Sequence, residues 1–298
     1  MIVTLILALL SAFFALSSPA WAVNVNCPAD SLQSALDNAS PGDTISVSGT
    51  CTGNFLVRND KVRVFIQSSG ACLSATISGG ASGTALDIRG KAISVTCMII
   101  NSGNQGIVVQ RGSNAVLDHN LVQNANREGI TVALSASAVI TNNEIKGNGT
   151  DGIFVTENSS ARIGWNNSTD GPAAPNDIHD NQARGIIVSN SASARITSNN
   201  IHNNTSYGIY LYRGAQVDAA NNDISGNGSD GIHVRTNSTL TLAFDSGIFS
   251  NSNSTTTNNT GVGVRCLTGG VLSGQIGTLN GDLGATSIDP SCAGGLLP

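Results

Sequence analysis

Charge is scarce in this chain. Only 11% of its 298 residues are charged, and Lys plus Arg number 14 against 19 for Asp plus Glu. A formal net charge of −5 excludes the basic surface a nucleic-acid binder needs. Aromatic residues make up only 4%. Heptads of Ala, Glu, Lys and Leu are missing, which excludes a coiled coil. No Gly-x-Ser-x-Gly segment, phosphate loop, dinucleotide fingerprint or Asp-Asp pair occurs, so the commonest hydrolase and nucleotide-binding signatures are absent. Disorder is excluded from the other side, because 40% of residues are hydrophobic. What is plentiful is Gly, at 34, together with Asn, Ser and Thr.

Residues 1–16 are almost wholly apolar, and Ser17, Ser18, Pro19 and the triplet Ala20-Trp21-Ala22 follow. Small residues at the first and third places of that triplet predict signal-peptide cleavage after Ala22, although no Lys or Arg precedes the run. The run is shorter than the ~20 residues of a bilayer span. The expectation is an exported, secreted or periplasmic chain over residues 23–298, with no membrane span. Six cysteines fit that compartment: Cys27, Cys51, Cys72, Cys97, Cys266 and Cys292. No Cys/His spacing suggests zinc.

The dipeptide Gly-Ile recurs at Gly106, Gly129, Gly152, Gly185, Gly208 and Gly231, in steps of 23, 23, 33, 23 and 23 residues. Gly83 lies one further period before Gly106. A fixed period of this size predicts a solenoid. After each glycine, positions one and three are β-branched or Leu, as in Ile107/Val109 and Ile209/Leu211, which marks a short strand. A second strand carries Ala115/Leu117, Ala138/Ile140, Ala161/Ile163 and Ala194/Ile196. A third carries Val122, Ile145, Ile178, Ile201 and Ile224, with an Asn two positions earlier in each turn: Asn120, Asn143, Asn176, Asn199 and Asn222. Stacked Asn side chains can hydrogen-bond along a column. No helical periodicity interrupts these repeats.

The predicted fold is therefore all-β, a single right-handed parallel β-helix with ~23-residue turns. Eight to ten turns at about 4.8 Å give a rod about 40–50 Å long. Cysteine separations of 24, 25 and 26 are close to one turn, which favours Cys27–Cys51, Cys72–Cys97 and Cys266–Cys292. An N-terminal capping helix is expected at about 30–39, capped by Asp30 and burying Leu32, Ala35, Leu36 and Ala39, and a C-terminal cap at about 265–298.

The helix, the run Pro41-Gly42-Asp43-Thr44-Ile45 and the Gly-Ile and Asn-x-Ile turns resemble the right-handed parallel β-helix proteins of the pectate-lyase-like superfamily over most of residues 27–285. The resemblance implies a bias towards extracellular polysaccharide but names no reaction, since lyases, hydrolases, epimerases and adhesins share the fold. Leu117-Asp118-His119 matches a fragment of the pectate-lyase Trp-Ile-Asp-His motif, but that family's Arg-x-Pro-x-x-Arg segment is absent.

In a filled solenoid, chemistry must sit on outward positions. On the Gly-Ile strands one end of that face differs, because it holds all three tyrosines: Tyr207, Tyr210 and Tyr212. The next turn sets Asp230, His233 and Arg235 beside them, and Arg213 is adjacent. Aromatic rings stack on sugars, and Arg pairs with carboxylates. For a lyase or C5-epimerase acting on acidic glycans, Arg235 would neutralise the uronate and His233 or Tyr210 would take the proton. A second outward column holds Lys146, His179 and His202, bordered by Trp165 and the loop 168–175; it reads as a sugar-binding edge or an adventitious metal site. A third, Arg162, Arg195 and Asp218, reads as exposed charge. No cofactor is called for, although calcium could sit between Glu128 and Asp151 on consecutive turns. Two readings stay open: a protein that binds or processes polysaccharide, or a non-catalytic, adhesin-like rod. A groove walled by loops 168–175 and 251–260 would favour the first.

Overall fold

The computed structural model describes residues 21–165, 173–242, 255–275, 288–292 and 296–297. The predicted leader therefore lies outside the described residues, as do residues 168–172 and 251–254 of the two expected groove walls. Among the described residues the chain is a parallel β-solenoid with one short helix. The Gly-Ile strands form a nine-stranded parallel sheet, from Phe55–Val57 at one end to Val264–Leu267 at the other. The second and third strands of each turn form two further faces. Both include the long strand Thr44–Thr52, which joins them into one 20-stranded sheet, and Ala22–Asn26 pairs ahead of it on the first face.

The register follows the repeat. Ile107, Ile130, Ile153, Ile186, Ile209 and Ile232 pair in one column, and each is fully buried. Val122, Ile145, Ile178, Ile201 and Ile224 form another. Each such side chain contributes about 1.5–3 kcal/mol through burial. One register differs from the sequence expectation. Leu86 pairs with Ile107, so Ala85, not Gly83, stands opposite Gly106, and that turn is shorter than the rest.

Glycine in the repeat is required by close approach. A Cβ at Gly185 would lie 2.4 Å from Ile201 Cγ2 and 2.8 Å from the carbonyl oxygen of Gly208 on the next turn.

The bends are built from a left-handed residue followed by a buried Asn. His119, Asn142, Ser198 and Asn221 have φ between 54° and 62°, and each precedes a member of the predicted Asn ladder. Along that ladder Nδ2 of each Asn donates to Oδ1 of the next, at 3.0, 2.9, 2.8 and 3.0 Å from Asn120 to Asn222. A second ladder, Asn148, Asn181, Asn204, Asn227 and Asn259, runs past the third strand with spacings of 2.9–3.0 Å. It too follows left-handed residues: Gly147, Asp180, Asn203, Gly226 and Asn258. Asn, Asp and Gly tolerate that conformation at least cost, which explains their abundance. The ladders satisfy the buried amides of the bends, as a packed interior demands.

The three disulfides join the predicted pairs across adjacent turns, with Cα–Cα distances of 5.0, 4.6 and 4.9 Å. The helix is Leu32–Asn38, and Leu32 and Leu36 enter the core. Its N-cap is Ser31, whose Oγ accepts from the Ser34 amide. Asp30, the expected cap, instead folds back to accept from the Asn26 amide at 2.8 Å.

Candidate functional site

The outward face of the Gly-Ile sheet is not open along its length. Adjacent strands lie about 4.8 Å apart, so large outward side chains cover one another. Val108, Thr131, Ile187, Tyr210 and His233 are all buried on this face. The two residues expected to act as base are among them, Tyr210 at 9% and His233 at 4% exposure.

The tyrosine end does assemble as one cluster. Tyr207 stacks on Tyr210 at 5.1 Å, and Tyr210 on Tyr212 at 6.0 Å. His233 pairs in register with Tyr210 and lies 4.7 Å from the Tyr207 ring and 5.4 Å from that of Tyr210. The guanidinium of Arg184 stands 5.1 Å from the centre of Tyr210. Arg213 and Arg235 stand 4.6 and 5.6 Å from that of Tyr212. Neither Arg213 nor Arg235 forms an ion pair among the described residues.

Asp230 organises the floor beneath. Its Oδ2 meets His233 Nδ1 at 2.9 Å and accepts from Arg265 Nε at 3.0 Å. Its Oδ1 accepts from the Val262 amide at 3.0 Å. Arg265 also donates from Nη1 to Asp289 at 2.8 Å. Burial pushes the Asp230 carboxyl up, but the bonds from His233, Arg265 and Val262 outweigh it and hold the group below its ordinary value. The other ring nitrogen of His233, Nε2, is buried without a hydrogen-bond partner. Tyr207, Asp230, His233, Thr260, Gly261 and Arg265 line a depression of about 440 Å³.

Arg265 and Asp289 were not legible from the repeat. Arg265 stands two past Gly263, as His233 stands two past Gly231, but 32 residues later rather than 23. Matching the Gly-x-x position without demanding the period would have found Arg265.

Other expected residues fall elsewhere. Trp165 is only 5% exposed and packs with Ala220, so its ring is no platform for a sugar. His179 and His202 do pair in register, with rings stacked 4.9 Å apart and 5° from parallel. Glu128 and Asp151 are each met by a cation. Arg127 reaches Glu128 at 3.0 Å, and Arg184 Nη1 lies 3.1 Å from both Asp151 oxygens. Arg195 and Asp218 are register partners on the second sheet. They border a larger hollow of about 880 Å³, floored by Val116, Val139 and small side chains. That hollow offers no aromatic ledge beyond Phe65 and no assembled acid–base pair, so the tyrosine end is the better candidate.

Fold and site together define a parallel β-helix protein with a polar, aromatic cluster at one end of an outer sheet. The family model described as periplasmic copper-binding protein (NosD) matches residues 36–270, and the chain belongs to that family. The fold is also similar to three solved structures. Pectate lyase Pel9A has a TM-score of 0.60 and 14% identity, with 92% of this chain and 81% of that one covered. An alginate lyase from Paenibacillus sp. str. FPU-7 has 0.55 and 19%, with 93% and 97% covered. A variant of the periplasmic alginate epimerase AlgG has 0.54 and 15%, with 92% and 82% covered. At such identities the likeness is one of fold. No curated protein sequence matches the chain.

Proposed function

We propose that the protein binds an acidic polysaccharide at the tyrosine end of the Gly-Ile sheet. The observation that carries this is the Tyr212 ring with the guanidinium groups of Arg213 and Arg235 4.6 and 5.6 Å from its centre, neither of them ion-paired among the described residues. A flat ring with two uncompensated cations near it suits the face of a sugar and its carboxylate. The polysaccharide-acting proteins that share the fold support the reading. Binding of the purified protein to oligouronates and to neutral oligosaccharides, followed by calorimetry, tests it. Oligouronates should bind, and Tyr212→Ala and Arg235→Ala should each weaken them about tenfold without unfolding the chain. Equal binding of neutral sugars, or unchanged affinity in both variants, overturns it.

A second reading, C5 proton abstraction in the same site, rests on His233. Asp230 meets its Nδ1, its Nε2 has no hydrogen-bond partner, and Arg265 stands beside it, an arrangement that suits a base. Unsaturated-uronate absorbance, or C5 exchange in deuterated water, that disappears in His233→Ala would establish it. We further propose that the protein works outside the cytoplasm. Three disulfides and the periplasmic family support this, and no helix among the described residues is long and apolar enough to cross a membrane.

The family's description also names copper. The donors present can be tested against it. All six cysteines are in disulfides, and Met98 is fully buried, so the thiolate and thioether donors that suit Cu(I) are lacking among the described residues. Imidazole and carboxylate, which suit Cu(II), are brought together at His179 and His202. Among the described residues, however, no group of three or more His, Cys, Asp or Glu is placed to hold a metal ion, so the residues present do not make a copper site.

A further inference from the structure

We propose that the hollow on the second-strand sheet is a second binding groove, for a linear acidic polysaccharide lying along the axis of the solenoid. The class of ligand rests on the reading above, while the groove stands on residues of its own. Outward positions of the second strands line up from turn to turn. One column passes from Phe65 through Val116 and Val139 to Arg162, Arg195 and Asp218. The column beside it holds Asn114, Ser137, Ser160, Ser193 and Gln216. All of them line the hollow of about 880 Å³. From Phe65 to Thr241 it crosses seven inter-turn steps, roughly 34 Å at the spacing of parallel strands.

The lining is a cationic island on an acidic protein. Among the described residues it carries the guanidinium groups of Arg63, Arg162 and Arg195 against the one carboxylate of Asp218. The whole chain has the opposite balance, with 14 Lys and Arg against 19 Asp and Glu. Arg63 and Arg162 form no ion pair among the described residues, and Arg195 reaches Asp218 at 3.9 Å. Arg162 and Arg195 are direct register partners. Like charges opposite one another on a sheet are unfavourable, and an anion laid across them removes the cost.

The rest of the lining suits a sugar chain. The hydroxyls of Ser137, Ser160 and Ser193 make no hydrogen bond among the described residues, so three successive turns offer open donors and acceptors. Phe65, 43% exposed, supplies a ledge at one end, and Val116 and Val139 form an apolar floor for the faces of the rings. Backbone groups of this sheet are already paired with the turns on either side, so a peptide laid on its face would find no ladder to join. One aromatic ring is too few to stack a run of nucleic-acid bases. With no acid–base pair among the described lining residues, the groove holds the chain rather than cleaving it.

The test is calorimetric titration of wild type and of the Tyr212→Ala/Arg235→Ala double variant with oligouronates, because in the double variant the groove is the site that remains. One oligouronate per chain should still bind there. Ser160→Trp fills the groove at an exposed position, and Arg162→Ser removes a cation. Added to the double variant, each should weaken binding about tenfold or more. Polyphosphate, a chain of charge without sugar, should bind about tenfold more weakly than oligouronate, since it gains nothing from Phe65. Circular dichroism checks that every variant is folded. A folded double variant that binds no oligouronate, where wild type does, overturns the groove and leaves the tyrosine end standing. Binding that neither Ser160→Trp nor Arg162→Ser weakens overturns the groove as well, and polyphosphate binding as tight as oligouronate overturns the sugar. If wild type binds a single oligouronate that is lost in Ser160→Trp and kept in the double variant, the groove stands and the tyrosine-end reading fails. No binding by wild type overturns both.

Discussion

Asp151 and Asp230 occupy the same place in two different turns. Each precedes the glycine of a Gly-Ile pair, and each is almost wholly buried, at 4% and 3% exposure. Their carboxyls nevertheless shift in opposite directions. Burial raises Asp151, and Arg184 only partly offsets it, while Glu128 on the preceding turn adds to the rise. Burial acts on Asp230 too, but His233, Arg265 and the Val262 amide overcome it. The backbone repeat therefore supplies a buried position, and the neighbouring turns decide which charge state the position favours. That difference marks the end of the sheet where a polar network has been assembled, as against a turn where an acid is merely tolerated.

The largest effect should come from breaking the Asp230 network. Asp230→Ala leaves His233, Arg265 and the Val262 amide without their shared acceptor. Removing one member of a buried ionic group costs on the order of 3 kcal/mol. Urea unfolding at pH 7 measures it, and a loss below about 1 kcal/mol would show the group to be hydrated rather than buried. Asp151→Asn should change stability by less than about 1 kcal/mol at pH 7, because removing a costly buried charge offsets a lost pairing with Arg184. The two acids also carry opposite pH signs. The contribution of Asp230 is present above its unfolded value, near 3.8, and is lost as pH falls through its lower folded value. That of Asp151 is full below 3.8 and is lost as pH rises through its higher folded value. Melting temperatures of wild type and Asp151→Asn between pH 3 and 7 should therefore diverge in favour of wild type towards the acid end.

Much of the fold was legible because it is periodic. A column of Ile at fixed steps can be buried in only one register, and cysteines one turn apart can meet only across neighbouring turns. The second Asn ladder was missed because its members, such as Asn148 and Asn227, sit in Asn-Gly segments that already look like ordinary turns. The site was legible in composition but not in exposure. Grouping Tyr207, Tyr210, Tyr212, Asp230 and His233 needed only the period. That Tyr210 and His233 are covered follows from the bulk of their neighbours, which a period does not reveal. Arg265 belonged to a turn of irregular length, and Asp289 approaches it from a segment with no repeat at all.

The smallest effect is the sharpest test of the contrast. Glu128 accepts from Gln105 and Arg127, and its charge adds to the raised carboxyl of Asp151. Glu128→Gln keeps an oxygen for Arg127, whose side chain is 55% exposed, so the lost pairing should cost only a few tenths, about 0.2–1 kcal/mol at most. It removes the like charge outright. Asp151 should then titrate lower, towards its ordinary value, while Asp230, several turns away, should not move. Carboxyl resonances followed by nuclear magnetic resonance through the acid range resolve both groups. If Asp151 falls, neighbouring charge is part of what separates the two acids. If it stays raised, burial alone lifts it, and the contrast rests entirely on the bonds that converge on Asp230.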